Sequence, residues 1–382
     1  METHKKEFFE LPDDIVFLNG AYMSPQLKSV AQIGIENLRK KGDPSKMDDS
    51  DFFGGRLLLK QRFAQLIAAE THQRIAIIPS VSYGIATAVQ NIPFQKKDEI
   101  VVLEEQFPSN YYAWKQLERE TGVTVVTVKA PPLAKGRGAA WNDAVLAAIN
   151  HRTKAVAMPQ VHWADGTWFD LKAVKNRCDE VGAYLIIDGT QSVGAMPFSV
   201  DEIRPDALIC GGYKWLMGGY GLGVAYFGER FDGGRPLENN WMNHEGAEDF
   251  ATLSKYNENF KPMAERYNVG ESSNFILTNM LSEAIRQLLE WTPEAIQQYC
   301  RSITELALRT LEEKGYYVES PDFRGHHLFG IYPMQNDNLE AIKIKLKREK
   351  IAVSYRGDAI RVSPNVYNTR AELEKLVACL VS

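Results

Sequence analysis

The sequence of 382 residues contains few cysteines and no long apolar run. Its four cysteines, at positions 178, 210, 300 and 379, lie far apart and form no CxxC pair. This pattern argues against a disulfide framework or a structural zinc site, and we predict no metal site. No apolar run reaches the length of a membrane span, and the polar first seven residues lack the apolar core of a signal peptide. We therefore expect a cytoplasmic protein without a membrane partner.

The sequence also lacks a strong net charge and the glycine motifs of nucleotide-binding proteins. Its formal net charge is -5, from 44 Lys and Arg against 49 Asp and Glu, which gives no electrostatic reason to expect nucleic acid as a partner. Neither a Walker sequence nor GxGxxG follows the first predicted strand of the sheet. A doubly wound nucleotide-binding protein is therefore disfavoured.

Short apolar runs rich in β-branched residues alternate with helical patterns over the first 230 residues or so. This alternation predicts an α/β fold with a parallel sheet and crossover helices. The predicted strands are residues 75–78, 100–103, 123–128, 155–158, 184–187, 207–210 and 224–227. The predicted helices include residues 111–121, 141–149 and 171–181.

The pattern changes after residue 230, where residues 231–270 are typical of a long loop region. Helical patterns at 274–290 and 292–314 follow, and then an alternation of short strands and helices. We predict a large domain of residues 16–260. A smaller α+β domain would combine residues 1–15 with residues 261–382.

Lys214 is the residue on which the predicted chemistry depends. It follows an apolar strand and two glycines, and its neighbours Tyr213 and Trp215 are aromatic. Desolvation at such a position disfavours the ammonium ion and leaves more neutral amine, the form that attacks an aldehyde. The alternative, from this segment alone, is a surface lysine without a role in chemistry.

Asp188 ends a buried apolar strand, at the sheet edge where open α/β folds bind ligands. A carboxylate held there can pair with a protonated ring nitrogen or a metal ion, and helix capping is the alternative role. Its spacing of 26 positions from Lys214 allows one crossover helix and one further strand. Both side chains are therefore predicted at neighbouring strand ends.

Three further segments have features of ligand-binding positions. Val81 and Ser82 begin a predicted helix, where free N–H groups and the helix dipole favour a phosphate; simple capping by serine is the alternative. Phe107 lies in a loop after a strand and could stack on a flat ring, although a lone phenylalanine more often packs in the core. Arg361 interrupts an apolar strand pattern and needs a carboxylate from the protein or from a ligand.

In this combination the chain resembles the class V aminotransferase family of fold-type I pyridoxal-phosphate enzymes. That family includes cysteine desulfurases, kynureninases and isopenicillin N epimerase-like proteins. The resemblance covers nearly the whole chain, and it implies a mostly parallel central sheet with flanking helices and a smaller α+β C-terminal domain. Its most specific parts are Asp-Gly-Thr-Gln-Ser-Val-Gly at 188–194, Gly-Gly-Tyr-Lys at 211–214, and Arg-x-Ser-Pro at 361–364 with Tyr-Asn-Thr at 367–369.

The resemblance implies pyridoxal 5′-phosphate as the cofactor. Lys214 would form the aldimine and move the proton at the substrate α-carbon, while Asp188 would keep the ring nitrogen protonated so that the ring acts as an electron sink. Gln191 would hydrogen-bond the phenolic oxygen, and Phe107 would stack on the ring. The remaining implied cofactor contacts are Val81, Ser82, Asp165, Tyr213, Ser272 and Ser273.

The resemblance also implies an amino-acid substrate and a homodimer with a shared active site. Asn19 and Arg361 would bind the substrate α-carboxylate, with Arg361 as a bidentate fork. Residues 270–274, which include Ser272 and Ser273, match the region that reaches into the neighbouring subunit, and Trp241 could belong to it.

Departures from the family pattern restrict the reaction type. Desulfurases carry a catalytic cysteine in the loop before the carboxylate-binding arginine, but residues 353–359 contain none, so a desulfurase is disfavoured. Gln191 stands where kynureninases typically have a histidine, and Asn110 where they tend to have an aspartate. Asp165 replaces an asparagine that usually contacts the phenolic oxygen, and a carboxylate there would repel that oxygen unless it is protonated or otherwise bonded.

We therefore expect a pyridoxal-phosphate enzyme that acts on an amino acid, with transamination as the expected outcome. An epimerase, a β-lyase or a kynureninase-like hydrolase would share the same first steps. A catalytically retired binding protein with the same fold is the non-enzymatic alternative. The simultaneous presence of Lys214, Asp188, Gln191 and Arg361 argues against it, because a retired site has no need of all four.

Overall fold

A computed structural model of the protein describes residues 4–333 and 339–381. Its strands are β1 Val16–Phe17, β2 Ile75–Ile78, β3 Glu99–Leu103, β4 Thr124–Val128, β5 Thr153–Pro159, β6 Tyr184–Asp188, β7 Ala207–Gly211, β8 Gly223–Phe227, β9 Tyr316–Tyr317, β10 Phe329–Pro333, β11 Ile351–Ala352, β12 Ser354–Arg356 and β13 Ala359–Val362. Its α-helices are α1 Lys28–Lys41, α2 Asp49–Leu66, α3 Val81–Asn91, α4 Tyr112–Thr121, α5 Arg137–Ala148, α6 Leu171–Val181, α7 Val200–Ile203, α8 Leu277–Trp291, α9 Pro293–Glu313, α10 Leu339–Arg348 and α11 Arg370–Val381.

A seven-stranded sheet forms the centre of the larger part, in the order β2-β8-β7-β6-β5-β3-β4. β8 runs antiparallel to its neighbours β2 and β7, and the other neighbouring pairs are parallel. Every residue of β2, β3, β6, β7 and β8 is buried. Strands covered on both faces need nearly continuous apolar runs, and the predicted α/β fold with its mostly parallel sheet is confirmed.

Local sequence signals explain why several elements begin and end where they do. α6 coincides with the predicted helix 171–181, because Asp170 caps its start by accepting from the backbone N–H groups of Lys172 and Ala173. It ends at Gly182, whose φ of 74° lies in the left-handed region that glycine adopts without strain. By contrast, α1 and α2 were not predicted. The apolar residues of α2 are spread around the helix rather than confined to one face.

The smaller part contains an antiparallel sheet in the order β12-β13-β10-β9 and its own apolar core with α9, α10 and α11. β1 pairs in parallel with β11, so Val16 and Leu18 pack in this smaller core. Conversely, Leu281 and Leu288 of α8 pack in the core of the larger part. These side chains pack across the predicted boundaries at residues 16 and 260, and the boundaries themselves stay a prediction. No helix in the described ranges is long and apolar enough to cross a membrane.

Candidate active site

Lys214 and Asp188 come together at the carboxyl ends of β6 and β7. The two strands are parallel neighbours, with Asp188 opposite Ile209 in register. Both side chains line one cavity of about 280 Å³, which we call the Asp188 cavity. This is the edge at which open α/β sheets bind ligands. The sequence spacing therefore placed the two residues correctly.

The Lys214 amine lies in surroundings that favour its neutral form. The side chain is only 6% exposed, and burial lowers the pKa of Lys214 to about 8, although the charge of Asp188 opposes the shift. Two arginines, Arg361 and Arg356, lower this pKa further. The Nζ atom lies 5.2 Å from the ring centroid of Phe107. A nucleophilic amine is thus available near neutral pH.

Asp188 is buried without a full positive counter-charge. Burial raises the pKa of its carboxyl, against the hydrogen bonds of Thr190 and the charge of Lys214. The backbone N–H of Thr190 donates to Oδ1 at 3.0 Å, and no ion pair joins Asp188 to any residue in the described ranges. A protonated ring nitrogen would supply the missing positive charge. The carboxylate therefore fits the cofactor that the resemblance implies.

The start of α3 offers an anion site at the wall of the Asp188 cavity. Ser80 caps the helix, because its Oγ accepts from the backbone N–H of Tyr83 at 3.3 Å. The Ser80 and Ser82 hydroxyls are 2.9 Å apart. Val81 and Ser82 line the cavity, and their N–H groups belong to the first turn, where no helix carbonyl can accept from them. A phosphate is favoured at such a position.

Aromatic side chains form another wall of the Asp188 cavity. Phe107 packs edge-to-face on Trp163, with ring centroids 5.4 Å apart and planes at 79°. Tyr213 lines the same cavity and packs on Tyr220 at 4.7 Å between centroids. Sequence reasoning did not single out Trp163. Its position in the loop that follows the predicted strand 155–158 was the available signal.

Asn110 is a second cavity residue that was not assigned a role as a cofactor contact. Its Oδ1 accepts from Trp114 Nε1 at 3.0 Å, whereas its buried Nδ2 has no hydrogen-bond partner among residues 4–333 and 339–381. A buried amide nitrogen without a partner is costly, and Asn110 lines the Asp188 cavity. The amide is thus available to a bound group.

Gln191 lines the Asp188 cavity, with its side-chain amide held from two sides. Its Nε2 donates to the Ala21 carbonyl at 3.1 Å, and its Oε1 accepts from Trp215 Nε1 at 2.9 Å. The amide nitrogen carries a second hydrogen. A contact with a phenolic oxygen would therefore use that second N–H.

Arg361 lines a second cavity of about 360 Å³, which also contacts Lys214 and which we call the arginine cavity. Its Nη1 donates to the Trp163 carbonyl at 2.8 Å, and its Nη2 donates to Ser354 Oγ at 3.0 Å. Burial, with the nearby charge of Arg356, lowers the pKa of Arg361 to about 9. Its buried Nε has no hydrogen-bond partner in the part of the chain that the structure describes. These features fit a carboxylate as the ligand.

Asn19 was predicted as a second contact for the substrate α-carboxylate. In the structure it is linked to Arg361 through Ser354. The Ser354 hydroxyl donates to Asn19 Oδ1 and accepts from Arg361. Asn19 is not among the residues that line the arginine cavity. In this structure it positions Ser354 and, through it, the guanidinium group.

Asp165 was predicted as a cofactor contact, and in the described part of the chain it lines neither cavity. Arg137 Nη2 forms an ion pair with its Oδ2 at 2.9 Å, and Thr167 donates to Oδ1 through its backbone N–H at 3.0 Å and its hydroxyl at 2.9 Å. Burial alone would raise the pKa of Asp165, but His162 and Arg137 hold it well below its usual range. The carboxylate thus already has an ion pair and hydrogen bonds within the protein. Its contact with the cofactor stays a prediction.

Ser272, Ser273 and Trp241 also lie outside the cavities that Lys214 contacts. The buried Ser272 Oγ has no hydrogen-bond partner, and Ser273 Oγ approaches the Met242 sulfur at 4.0 Å. Trp241 is 39% exposed and packs on Phe250 at 5.6 Å between centroids. A role for these residues in the active site would require a second subunit.

Comparison with known proteins identifies relatives over most of the chain. The family model described as Aminotransferase class-V matches residues 58–376. The chain is 25% identical over 319 residues to the uncharacterized aminotransferase YcbU of Bacillus subtilis (strain 168), covering 83% of this chain and 81% of that protein. It is 27% identical over 340 residues to a probable cysteine desulfurase of Staphylococcus epidermidis (strain ATCC 12228), covering 85% and 78%.

Solved structures share the fold over the full length. The structure of a lysine-to-alanine mutant of C-DES, with glycine covalently linked to its PLP cofactor, superposes with a TM-score of 0.86. The match covers 100% of both chains at 16% sequence identity, which shows the fold alone. Because the family model covers most of the sequence, and the fold agrees with it, the chain belongs to the class V aminotransferase family.

Proposed function

We propose that the protein is a pyridoxal-phosphate-dependent aminotransferase acting on an amino acid. The observation that carries this proposal is the position of Lys214, which lines both the Asp188 cavity and the arginine cavity. The Asp188 cavity has the groups that would hold the cofactor. The arginine cavity has Arg361, which would hold a substrate carboxylate. The lysine between them can reach both.

The residues present fit pyridoxal 5′-phosphate as the cofactor. When bound, this group supplies an aldehyde that exchanges amines and a ring that accepts the electron pair released at the α-carbon. Asp188 would pair with the ring nitrogen, and the N–H groups of Val81 and Ser82 would hold the phosphate. Phe107 would pack against the ring, and Tyr213 would complete the site.

Lys214 would act as the base at the substrate α-carbon. A base works best when its pKa lies near the working pH, and burial lowers the pKa of Lys214 to about 8. Arg361 would bind the substrate α-carboxylate within the cavity that it shares with Lys214. Holding the substrate by this group would keep the α-carbon within reach of the lysine.

Sulfur transfer through a cysteine persulfide is disfavoured. All four cysteines lie in the described ranges, and all are buried and free. None lines either cavity, and burial raises the pKa of Cys210 well above its ordinary value. A buried, protonated thiol is a poor nucleophile.

Epimerisation, β-elimination and hydrolysis share the same α-carbon deprotonation, and product analysis separates them from transamination.

We also propose a homodimer in the cytoplasm. A cluster of aromatic side chains lies on the surface, where Phe52 packs on Phe250 and Phe275 with centroids 5.3 Å and 5.2 Å apart. Trp241 joins this cluster, and the unpaired Ser272 hydroxyl lies in the same region of the sequence as Phe275. A second subunit would cover these apolar rings. The free cysteines fit a reducing compartment.

The test is to purify the protein with cofactor and to treat it with borohydride. We expect a yellow protein whose cofactor becomes permanently attached to Lys214, as read by peptide mass spectrometry. Lys214→Ala should lose this attachment, while Lys129→Ala, a change at an exposed lysine, should keep it. In a separate sample, untreated holoenzyme incubated with an amino-acid panel should yield a keto acid and aminated cofactor. A colourless protein that takes up no cofactor would refute the proposal.

A further inference from the structure

Two arginines of the smaller part face the same end of the Lys214 site. β12 and β13 pair antiparallel, with Ser354 opposite Arg361 and Arg356 opposite Ala359. Residues two apart on a strand share a face, so Arg356 and Arg361 are diagonal neighbours on one face, about 7–8 Å apart in an ordinary pair. Both line the arginine cavity.

One indole ring orients both guanidinium groups. Arg356 Cζ lies 5.2 Å from the ring centroid of Trp163, and Arg361 Cζ lies 6.0 Å from the same centroid. Trp163 also lines the arginine cavity, as does Lys214. The two positive groups are therefore directed to one shared space that opens on the reactive lysine.

The positive charge of this space is not balanced within the described part of the chain. Neither Arg356 nor Arg361 forms an ion pair with a carboxylate of residues 4–333 or 339–381, and the buried Nε of each has no hydrogen-bond partner. Burial lowers the pKa of Arg356, as it does that of Arg361. Two like charges that lie close together and are partly or fully buried are unfavourable unless an anion compensates them.

Arg361 and Arg356 differ in which of their donors are already used in hydrogen bonds. Arg361 already donates through both Nη atoms, to Trp163 and Ser354, which fixes its orientation for one carboxylate. Among the described residues, Arg356 donates only from Nη1, to the Tyr355 carbonyl at 2.6 Å. Its Nε and Nη2 remain available as a two-pronged donor, the geometry that matches a carboxylate.

We propose that Arg356 forms a second anion subsite, so that the preferred substrates are amino acids with a carboxylate on the side chain, such as aspartate or glutamate. Arg361 would take the α-carboxylate and Arg356 the side-chain carboxylate. This inference rests on the proposed function, because it names the substrate class of the same site. The corresponding dicarboxylic keto acid would be the acceptor or product.

The experiment compares acids with their amides of nearly equal shape. Dissociation constants of aspartate, asparagine, glutamate and glutamine are measured by spectral titration of the holoenzyme. The wild type should prefer each acid over its amide. Arg356→Gln should weaken binding of the acids by about 10-fold to 100-fold and leave the amides unchanged, because only the acids lose a charged partner. Arg356→Lys, which keeps the charge without the fork, should fall between.

Arg348→Gln is the matched control, because Arg348 is an exposed arginine of the same part of the protein and pairs with Glu349. It should keep the acid preference of the wild type. Far-ultraviolet circular dichroism checks that each variant is folded. If Arg356→Gln weakens aspartate and asparagine equally, or if the wild type prefers the amides, the second subsite is refuted while the proposed function stands.

Calorimetry with succinate and glutarate gives a readout that does not depend on turnover. These dicarboxylates lack an amino group and test the two arginines alone. Arg356→Gln should bind them about 10-fold more weakly than the wild type or worse, and equal binding would overturn the subsite. A protein that takes up no cofactor but shows this difference would refute the proposed function and keep the subsite.

Discussion

Arg361 Nη1 donates to the backbone carbonyl of Trp163 at 2.8 Å, which joins the two parts of the protein at the active site. Arg361 belongs to β13 of the smaller part, and Trp163 follows β5 of the larger part. The same indole packs edge-to-face on Phe107. The position of Arg361 relative to Lys214 therefore depends on how the two parts pack.

The rate at which the apoprotein captures pyridoxal phosphate should depend on pH with a midpoint near 8. Only the neutral amine attacks an aldehyde, and burial lowers the pKa of Lys214 to about 8 from an ordinary value of 10.5. The capture rate, followed by absorbance, should rise as the pH passes through this value and then level off. A midpoint near 10.5 would show that the lysine is not desolvated.

Asp188→Asn should move the same midpoint to lower pH. The charge of Asp188 raises the pKa of Lys214, so its removal leaves burial and the arginines to act alone. Turnover should also fall, on the order of 100-fold to 1000-fold, as when one aligned electrostatic contact of an active site is removed. Asp201→Ala, at an exposed position, is the control. Normal turnover of Asp188→Asn would contradict the assigned role.

Arg361→Ala should weaken binding of amino-acid substrates by about 2–5 kcal/mol if the carboxylate pair is desolvated. The dissociation constant is measured by spectral titration of the holoenzyme with one amino acid. Ser354→Ala removes one hydrogen bond of Arg361 but keeps the charge. Its effect should be smaller, about 1 kcal/mol. An unchanged affinity in Arg361→Ala would remove this residue from the substrate site.

Arg137→Met should reduce the free energy of unfolding by about 3–5 kcal/mol, because it leaves the buried Asp165 carboxylate without its ion pair. Arg152→Met, which breaks an ion pair at a largely exposed arginine, should cost about 0–1 kcal/mol. Urea unfolding measures the free energy change of both variants.

Asp165→Asn should leave the dissociation constant of the cofactor unchanged. A large loss of cofactor affinity in this variant would show that Asp165 belongs to the cofactor site.

The sequence by itself determined the seven strands of the central sheet and the placement of Asp188 and Lys214 at the ends of neighbouring strands. Buried parallel strands require continuous apolar runs, and α6 carries its own start and stop signals in Asp170 and Gly182. One crossover between two neighbouring strands also restricts where their ends can lie. These are local constraints, so local patterns were sufficient to predict them.

Only the tertiary structure decided which charged side chains have partners. Asp165 lies in a sequence motif typical of a cofactor site. In the structure its carboxylate forms an ion pair with Arg137 of α5 and does not line the Asp188 cavity. Arg356 attracted no attention in the sequence, yet the β12–β13 pairing places it beside Arg361 and Trp163. Ion pairs and cavity walls join residues that are distant along the chain. No local periodicity carries that information.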